Sequence, residues 1–216
     1  MKPRIIIFDF DGTLGDTRQN IVMTLQATMR ERGLEVRSES ECAQTIGLTL
    51  LDSFRAMYPT MSHDEAEACV SHYRAIFYRS IEESIPQLFE GVRPTLERLS
   101  ELGVVMTIAS SRSSPSLLLF IRSMGIEHHF SLVLGSDSVE KHKPHPEAVI
   151  QSLEKLGFSP SEALVVGDMP VDILMARNAS TRSVGVSYGN ATREELEAAG
   201  ADYVIDNLSE LLRIVE

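Results

Sequence analysis

Apolar residues follow two rhythms along this chain. Short unbroken runs, rich in β-branched residues, occur at 4–10, 104–110, 132–135, 163–167, 183–186 and 203–205. A run that is apolar throughout, and not only at alternate positions, fits a strand buried on both faces. Between these runs, apolar residues recur three or four apart at 94–102, 115–124, 146–156, 171–178 and 194–199. That is helical spacing. Strand alternating with helix predicts an α/β fold: a Rossmann-like core whose parallel sheet has helices on both faces. Sheets of this kind place their sites beyond the carboxyl ends of the strands.

One stretch breaks the alternation. Residues 16–87 carry no strand pattern. Ile21, Leu25, Thr28 and Met29 mark one amphipathic helical face, and Leu50, Phe54 and Met57 mark another, ended by Pro59. A third helix is expected from 64 to 84, with Ser62 as its N-cap. The pattern predicts an all-helical cap domain, 16–87, inserted into a core made of 1–15 and 88–216. Gly12 and Gly15 on one side, and Pro86 and Gly91 on the other, suit the two crossings.

Composition narrows the function. The chain has 216 residues, 43% of them hydrophobic, enough for one core with a modest insertion. Its net charge of -11 repels phosphate backbones and argues against nucleic acid as a partner. A small phosphate would need a local reversal of sign, which a metal ion supplies. Cys42 and Cys69 stand apart from each other and from any zinc-like His cluster. They read as small buried residues in a reducing compartment. The first apolar run meets Asp9 and Asp11 at once, unlike a signal peptide, and no run reaches 18 residues. A cytoplasmic protein without a membrane partner is expected.

Four segments carry candidate chemistry. In Asp9-Phe10-Asp11-Gly12-Thr13-Leu14, two acids directly follow an apolar strand. Like charges so close make sense around a divalent cation, whose hard-ligand preference suits carboxylates. Gly12 lets the chain turn sharply behind them. In Val166-Gly167-Asp168, with Asp172 four residues on, an acid again ends an apolar strand and another lies one turn into a helix. Helix capping explains one of this pair as well as metal binding does. Ser110 ends a third strand, where a hydroxyl can donate to phosphate or simply close the strand. Lys143 sits in Lys141-His142-Lys143-Pro144-His145-Pro146, and the whole chain has only four lysines. It is either a solvated basic residue or the cation that restrains clustered carboxylates.

Taken in order, these segments resemble the four motifs of the haloacid dehalogenase superfamily, and the resemblance spans the whole chain. Residues 9–17 are similar to its motif I, Ser110 to the motif II hydroxyl, Lys143 to the motif III lysine, and 167–172 to the GDxxxD form of motif IV. Gly91-Val92-Arg93-Pro94-Thr95-Leu96 resembles the return segment of the phosphoglycolate phosphatase branch, and the insertion site resembles that of its helical caps. The resemblance implies Asp9 as nucleophile, Asp11 as general acid/base, and Ser110, Ser111 and Lys143 as holders of the phosphoryl group. It also implies Mg2+ bound by Asp9, Asp168 and the Asp11 backbone carbonyl, with Asp172 supporting from behind. A small phosphorylated metabolite, phosphoglycolate-like, is the implied substrate. Two departures stand out. Ser111-Arg112 replaces the usual motif II continuation, which bears on phosphate contact, and Ala179-Ser180 replaces an Ala-Gly helix end.

Rival readings separate on particular residues. Dehalogenases of the superfamily lack an acid at the position of Asp11. Its phosphonate hydrolases use a cap lysine, and residues 16–87 contain none. Phosphomutases of the β-phosphoglucomutase type keep all four motifs and remain the alternative. A non-catalytic phospho-ligand binding protein has no need of nucleophile, acid and lysine together. Within the cap, the loop 45–49 and Arg18, Arg55, Arg74 and Arg79 are the candidates to meet a substrate.

Overall fold

The computed structural model describes residues 2–81 and 85–216. Six strands form one parallel sheet: β1 (Ile5–Phe8), β4 (Val105–Ala109), β5 (Leu132–Leu134), β6 (Ala163–Gly167), β7 (Arg182–Val186) and β8 (Tyr203–Ile205). Their order is β5-β4-β1-β6-β7-β8. From β1 the chain builds outward first to one side and later to the other, so β1 lies at the point where strand order reverses. That is where open α/β sheets open a crevice for ligands.

The unbroken apolar runs have the expected cause. Ile5, Ile6, Ile7 and Phe8 are all fully buried. Ile6 and Phe8 pack with Leu96, Leu99, Leu117 and Phe120, from α5 (Val92–Glu101) and α6 (Ser114–Ser123). Ile5 and Ile7 pack on the opposite face with Val149, Leu153, Met175 and Ala176, from α7 (Glu147–Leu156) and α8 (Pro170–Asn178). Successive side chains of a strand point to opposite faces, so a helix layer on each face demands apolar residues at every position. Two short helices, α9 (Arg193–Ala198) and α10 (Leu211–Val215), complete the core.

The helical insertion holds α1 (Arg18–Glu31), α2 (Glu39–Ala43), α3 (Leu50–Met57) and α4 (His63–Ser80). The short α2 gave no amphipathic signal because five residues make little more than one turn. Ser62 caps α4 as expected: its hydroxyl accepts the Glu65 N–H, and the Glu65 carboxylate accepts the Ser62 N–H. The expected end of that helix at 84 lies outside the described residues. The crossings are more ordered than paired glycines suggest. Gly15–Asp16 (β2) and Gln87–Leu88 (β3) form a small antiparallel ladder at the neck. Core and insertion also share apolar contacts. Phe77 of α4 meets Phe120 of α6 edge-on at 5.5 Å between ring centres, and Phe120 stacks on Phe10 at 6.0 Å.

Candidate active site

Three strand tips deliver the site. The sheet hydrogen bonding runs one residue past β1 and β4, since Asp9 N donates to Val166 O and Ser110 N to Leu134 O, at 2.8 and 2.9 Å. Asp9 therefore stands at the carboxyl end of the central strand. Ser110 stands at the tip of one neighbour and Asp168 at the tip of the other. Gly12 turns the chain back with φ of 92°. A Cβ at Gly12 would lie 2.2 Å from Asp168 Oδ2, so only glycine allows this close approach.

Asp9, Asp168 and Asp172 offer carboxylate oxygens within 4.8 Å of one another, and all three residues are buried. Lys143 reaches between two of them: its Nζ donates to Asp9 Oδ1 at 2.5 Å and to Asp172 Oδ1 at 2.6 Å. The Lys143 side chain is only 5% exposed, so the solvated-loop reading does not hold. Asp172 Oδ2 accepts the Met169 N–H at 3.1 Å, so this residue caps its helix and anchors the lysine at once. Asp168 Oδ2 accepts both the backbone N–H and the side-chain amide of Asn190, each at 2.8 Å. The Thr13 hydroxyl donates to Asp168 Oδ1 at 3.3 Å.

One ammonium thus pairs with two of three buried carboxylates. Burial raises the pKa of Asp9 well above the usual carboxylate range. Lys143 opposes this, while Asp172, Asp168 and Asp11 reinforce it. Burial, joined by Asp172, lifts Asp168 to about 7 against the Asn190 hydrogen bonds. Lys143 is held protonated: burial disfavours its charge, but Asp172 and Asp9 outweigh that. A group of hard oxygen donors with uncompensated negative charge fits a divalent cation.

Asp11 has a different partner. Arg112 grips its carboxylate in a fork, Nη2 to Oδ1 at 2.7 Å and Nε to Oδ2 at 3.1 Å. The guanidinium lies 4.6 Å from the ring centre of Phe120 in the core and 5.4 Å from that of Phe77 in the insertion. Burial works against the Arg112 charge, yet Asp11 raises its pKa above the ordinary arginine range. Ser110 Oγ accepts the Arg112 N–H at 3.1 Å. The Ser111 hydroxyl donates to Gly47 O of the 45–49 loop at 2.6 Å, which ties the β4 tip to the insertion.

A cavity of about 380 Å³ opens between the two parts, lined by Asp9, Asp11 and Ser110 below and by the whole of loop 45–49 above. Of the four arginine candidates, Arg74 lines it. Arg79 pairs with Glu31 instead, Arg18 reaches Asn190 at 3.5 Å, and Arg55 is an exposed residue of α3.

The family model described as haloacid dehalogenase-like hydrolase matches residues 6–186. The chain belongs to that family. It is 34% identical over 214 residues to the probable phosphatase IndB of Dickeya dadantii, covering 98% of this chain and 93% of the relative. It is 32% identical to the pyrophosphatase PpaX of Bacillus pumilus, covering 97% and 95%. It is also 32% identical to the phosphoglycolate phosphatase of Vibrio parahaemolyticus, covering 98% and 96%. A crystal structure of a haloacid dehalogenase-like hydrolase from Bacteroides fragilis superposes with a TM-score of 0.92 at 29% identity, covering 97% of this chain and 100% of that one.

Two contributors to this site were not among the site residues expected from the sequence. Asn190 follows the apolar strand β7 in Ser187-Tyr188-Gly189-Asn190, a small and polar strand-end cluster like those that flagged Asp9 and Asp168. Arg112 stood out only as a departure from motif II. Its bond to Asp11 spans 101 residues of sequence, so no local spacing announces it.

Proposed function

We propose that the protein is a Mg2+-dependent phosphatase that hydrolyses a small phosphate monoester through an aspartyl phosphate on Asp9. The observation that carries this reading is Asp9 at the central strand tip, flanked by Lys143, Asp168 and the cavity. Asp9 and Asp168 side chains and the Asp11 backbone carbonyl would hold the ion. Asp172 fits the supporting role better, since one oxygen is bound to Lys143 and the other to Met169 N. When bound, magnesium supplies positive charge that lets an anionic nucleophile meet an anionic phosphate.

The chain's own residues then divide the work. An Asp9 oxygen bonds to phosphorus as the ester P–O bond breaks, and Asp11 gives a proton to the departing alcohol. Water then attacks phosphorus, Asp11 takes its proton, and free phosphate and Asp9 are restored. Lys143 and the Ser110 hydroxyl hold the phosphoryl oxygens. Ser111 joins them once its hydroxyl leaves Gly47. In the observed pairing both Asp11 oxygens accept from Arg112. In the acid step Oδ2 exchanges its one contact, with Arg112 Nε, for a proton, while Oδ1 keeps the guanidinium bound.

Phosphoglycolate, the substrate the resemblance favours, is the reference compound. Phosphate release from phosphoglycolate and other small esters tests the hydrolase reading. β-Glucose 1-phosphate with catalytic glucose 1,6-bisphosphate tests the mutase alternative. Rapid glucose 6-phosphate formation with little free phosphate would overturn hydrolysis while leaving Asp9, Asp11, Asp168 and Lys143 in place.

A further inference from the structure

The cavity in front of Asp9 constrains the leaving group, an inference that rests on the phosphatase reading. At about 380 Å³ it falls within the roughly 300–1,000 Å³ of pockets that enclose drug-sized ligands. Its floor is polar and belongs to the core. Its cap wall is mixed: Thr45, Thr49, Asp52, Tyr73 and Arg74 line it, and beside them Ile21, Leu25, Ile46, Leu48, Val70 and Phe77 also face the cavity. The apolar residues come from α1, the 45–49 loop and α4, so three separate segments converge on one apolar surface.

Charge points the same way. A leaving group with its own carboxylate or phosphate needs a cation to meet it once it is withdrawn from water. Among the described lining residues the cationic candidates are Arg74, Arg112 and His142. Arg112 is bound at both carboxylate oxygens of Asp11 and flanked by two aromatic rings. Arg74 is exposed and its charge acts on Asp137. Asp52 and Asp137 also line the cavity, in addition to Asp9 and Asp11. Besides Arg112, the cations at the leaving-group end are the exposed Arg74 and the half-buried His142, set against apolar surface and further acids.

We propose that the preferred substrate is a phosphate monoester of an alcohol bearing a neutral, apolar group of aromatic or longer aliphatic size, seated against the cap wall. Leu48 and Phe77 then set specificity through surface buried from water, and anionic leaving groups such as glycolate or a second phosphate are disfavoured.

The test compares kcat/KM at fixed Mg2+ for ethyl, n-butyl and 2-phenylethyl phosphate against phosphoglycolate and pyrophosphate. A buried methylene is worth about fourfold, so butyl, with two more, should exceed ethyl by about fifteenfold, and 2-phenylethyl should exceed both. Leu48→Arg, with folding checked by circular dichroism, should lower kcat/KM for 2-phenylethyl phosphate at least tenfold and raise it for phosphoglycolate. Phosphoglycolate or pyrophosphate turning over faster than butyl phosphate would overturn the proposal and leave the phosphatase reading intact. Calorimetry on Asp9→Asn with the inert 3-phenylpropylphosphonate and phosphonoacetate separates the two claims. Tighter binding of the apolar phosphonate supports the cavity assignment even if no ester is hydrolysed, an outcome that would instead remove the phosphatase reading. Equal or weaker binding overturns the cavity assignment directly.

Discussion

Two groups of charge stand side by side beneath the helical insertion, and they are balanced differently. Around Asp9 there are three buried carboxylates, and the ammonium of Lys143 pairs with two of them, Asp9 and Asp172. Around Asp11, one carboxylate has one guanidinium to itself, in a fork braced by aromatic rings. The first group is short of positive charge, and its acids respond: burial and mutual repulsion lift Asp9 and Asp168 above the ordinary carboxylate range. The second group is internally neutral. Coulombic balance, and not the mere presence of acids, therefore tells where a cation fits. In the proposed mechanism it sits with Asp9 and Asp168, and the Asp11 carboxyl is left for proton transfer.

The strongest way to break this comparison is to remove the nucleophile. Asp9→Asn keeps the shape but loses the anion, and turnover should fall by about a thousandfold or more with the fold retained. Activity within tenfold of the original chain would end the assignment. Next comes the ion itself. EDTA should abolish phosphate release and Mg2+ should restore it, whereas Ca2+, with its larger and looser coordination shell, should restore little. Full turnover in a sample shown by elemental analysis to be metal-free would contradict the charge argument.

The neutral pair should behave more mildly. Arg112→Met frees Asp11 from its fork, and kcat should drop about tenfold as the acid/base loses its fixed position. Mg2+ affinity measured by calorimetry should stay within about threefold, because Arg112 is not part of the charge-poor group. A large loss of Mg2+ affinity would merge the two groups into one.

Stability supplies the smallest effect. The folded-state pKa of Asp168, about 7, lies above the unfolded value of roughly 3.9. The native state thus binds this proton more tightly, and the resulting stability is present at low pH and lost as pH rises toward 7. In EDTA, the Tm difference between the original chain and Asp168→Asn should shift by about 5 °C between pH 5 and pH 8, against the original chain at high pH. Added Mg2+ should offset that loss at pH 8. A pH-independent difference would show that the Asp168 carboxyl is not perturbed as the structure implies.

Much of this was legible along the chain. The doubly buried strands, the helical interruption and the acids at strand ends each leave a local mark, because burial on two faces, helical periodicity and strand termination act over a few residues. Lys143 was readable as a candidate through its rarity and its company. Asn190 left a fainter mark of the same kind. What had no local mark was α2, too short to show a period, and the neck ladder of two residues on each side.

The order and chemistry of Asp9, Asp11, Ser110, Lys143 and Asp168 are properties of the sequence, as is a sheet with buried strands. Which cation meets which acid was decided only in three dimensions. Arg112 reaches Asp11, and Lys143 bridges Asp9 and Asp172 across 134 and 29 residues. Which cap arginines face the cavity was decided there too. Pairings of this kind depend on how strand tips and helix ends converge after packing, and distance along the chain carries no information about that convergence.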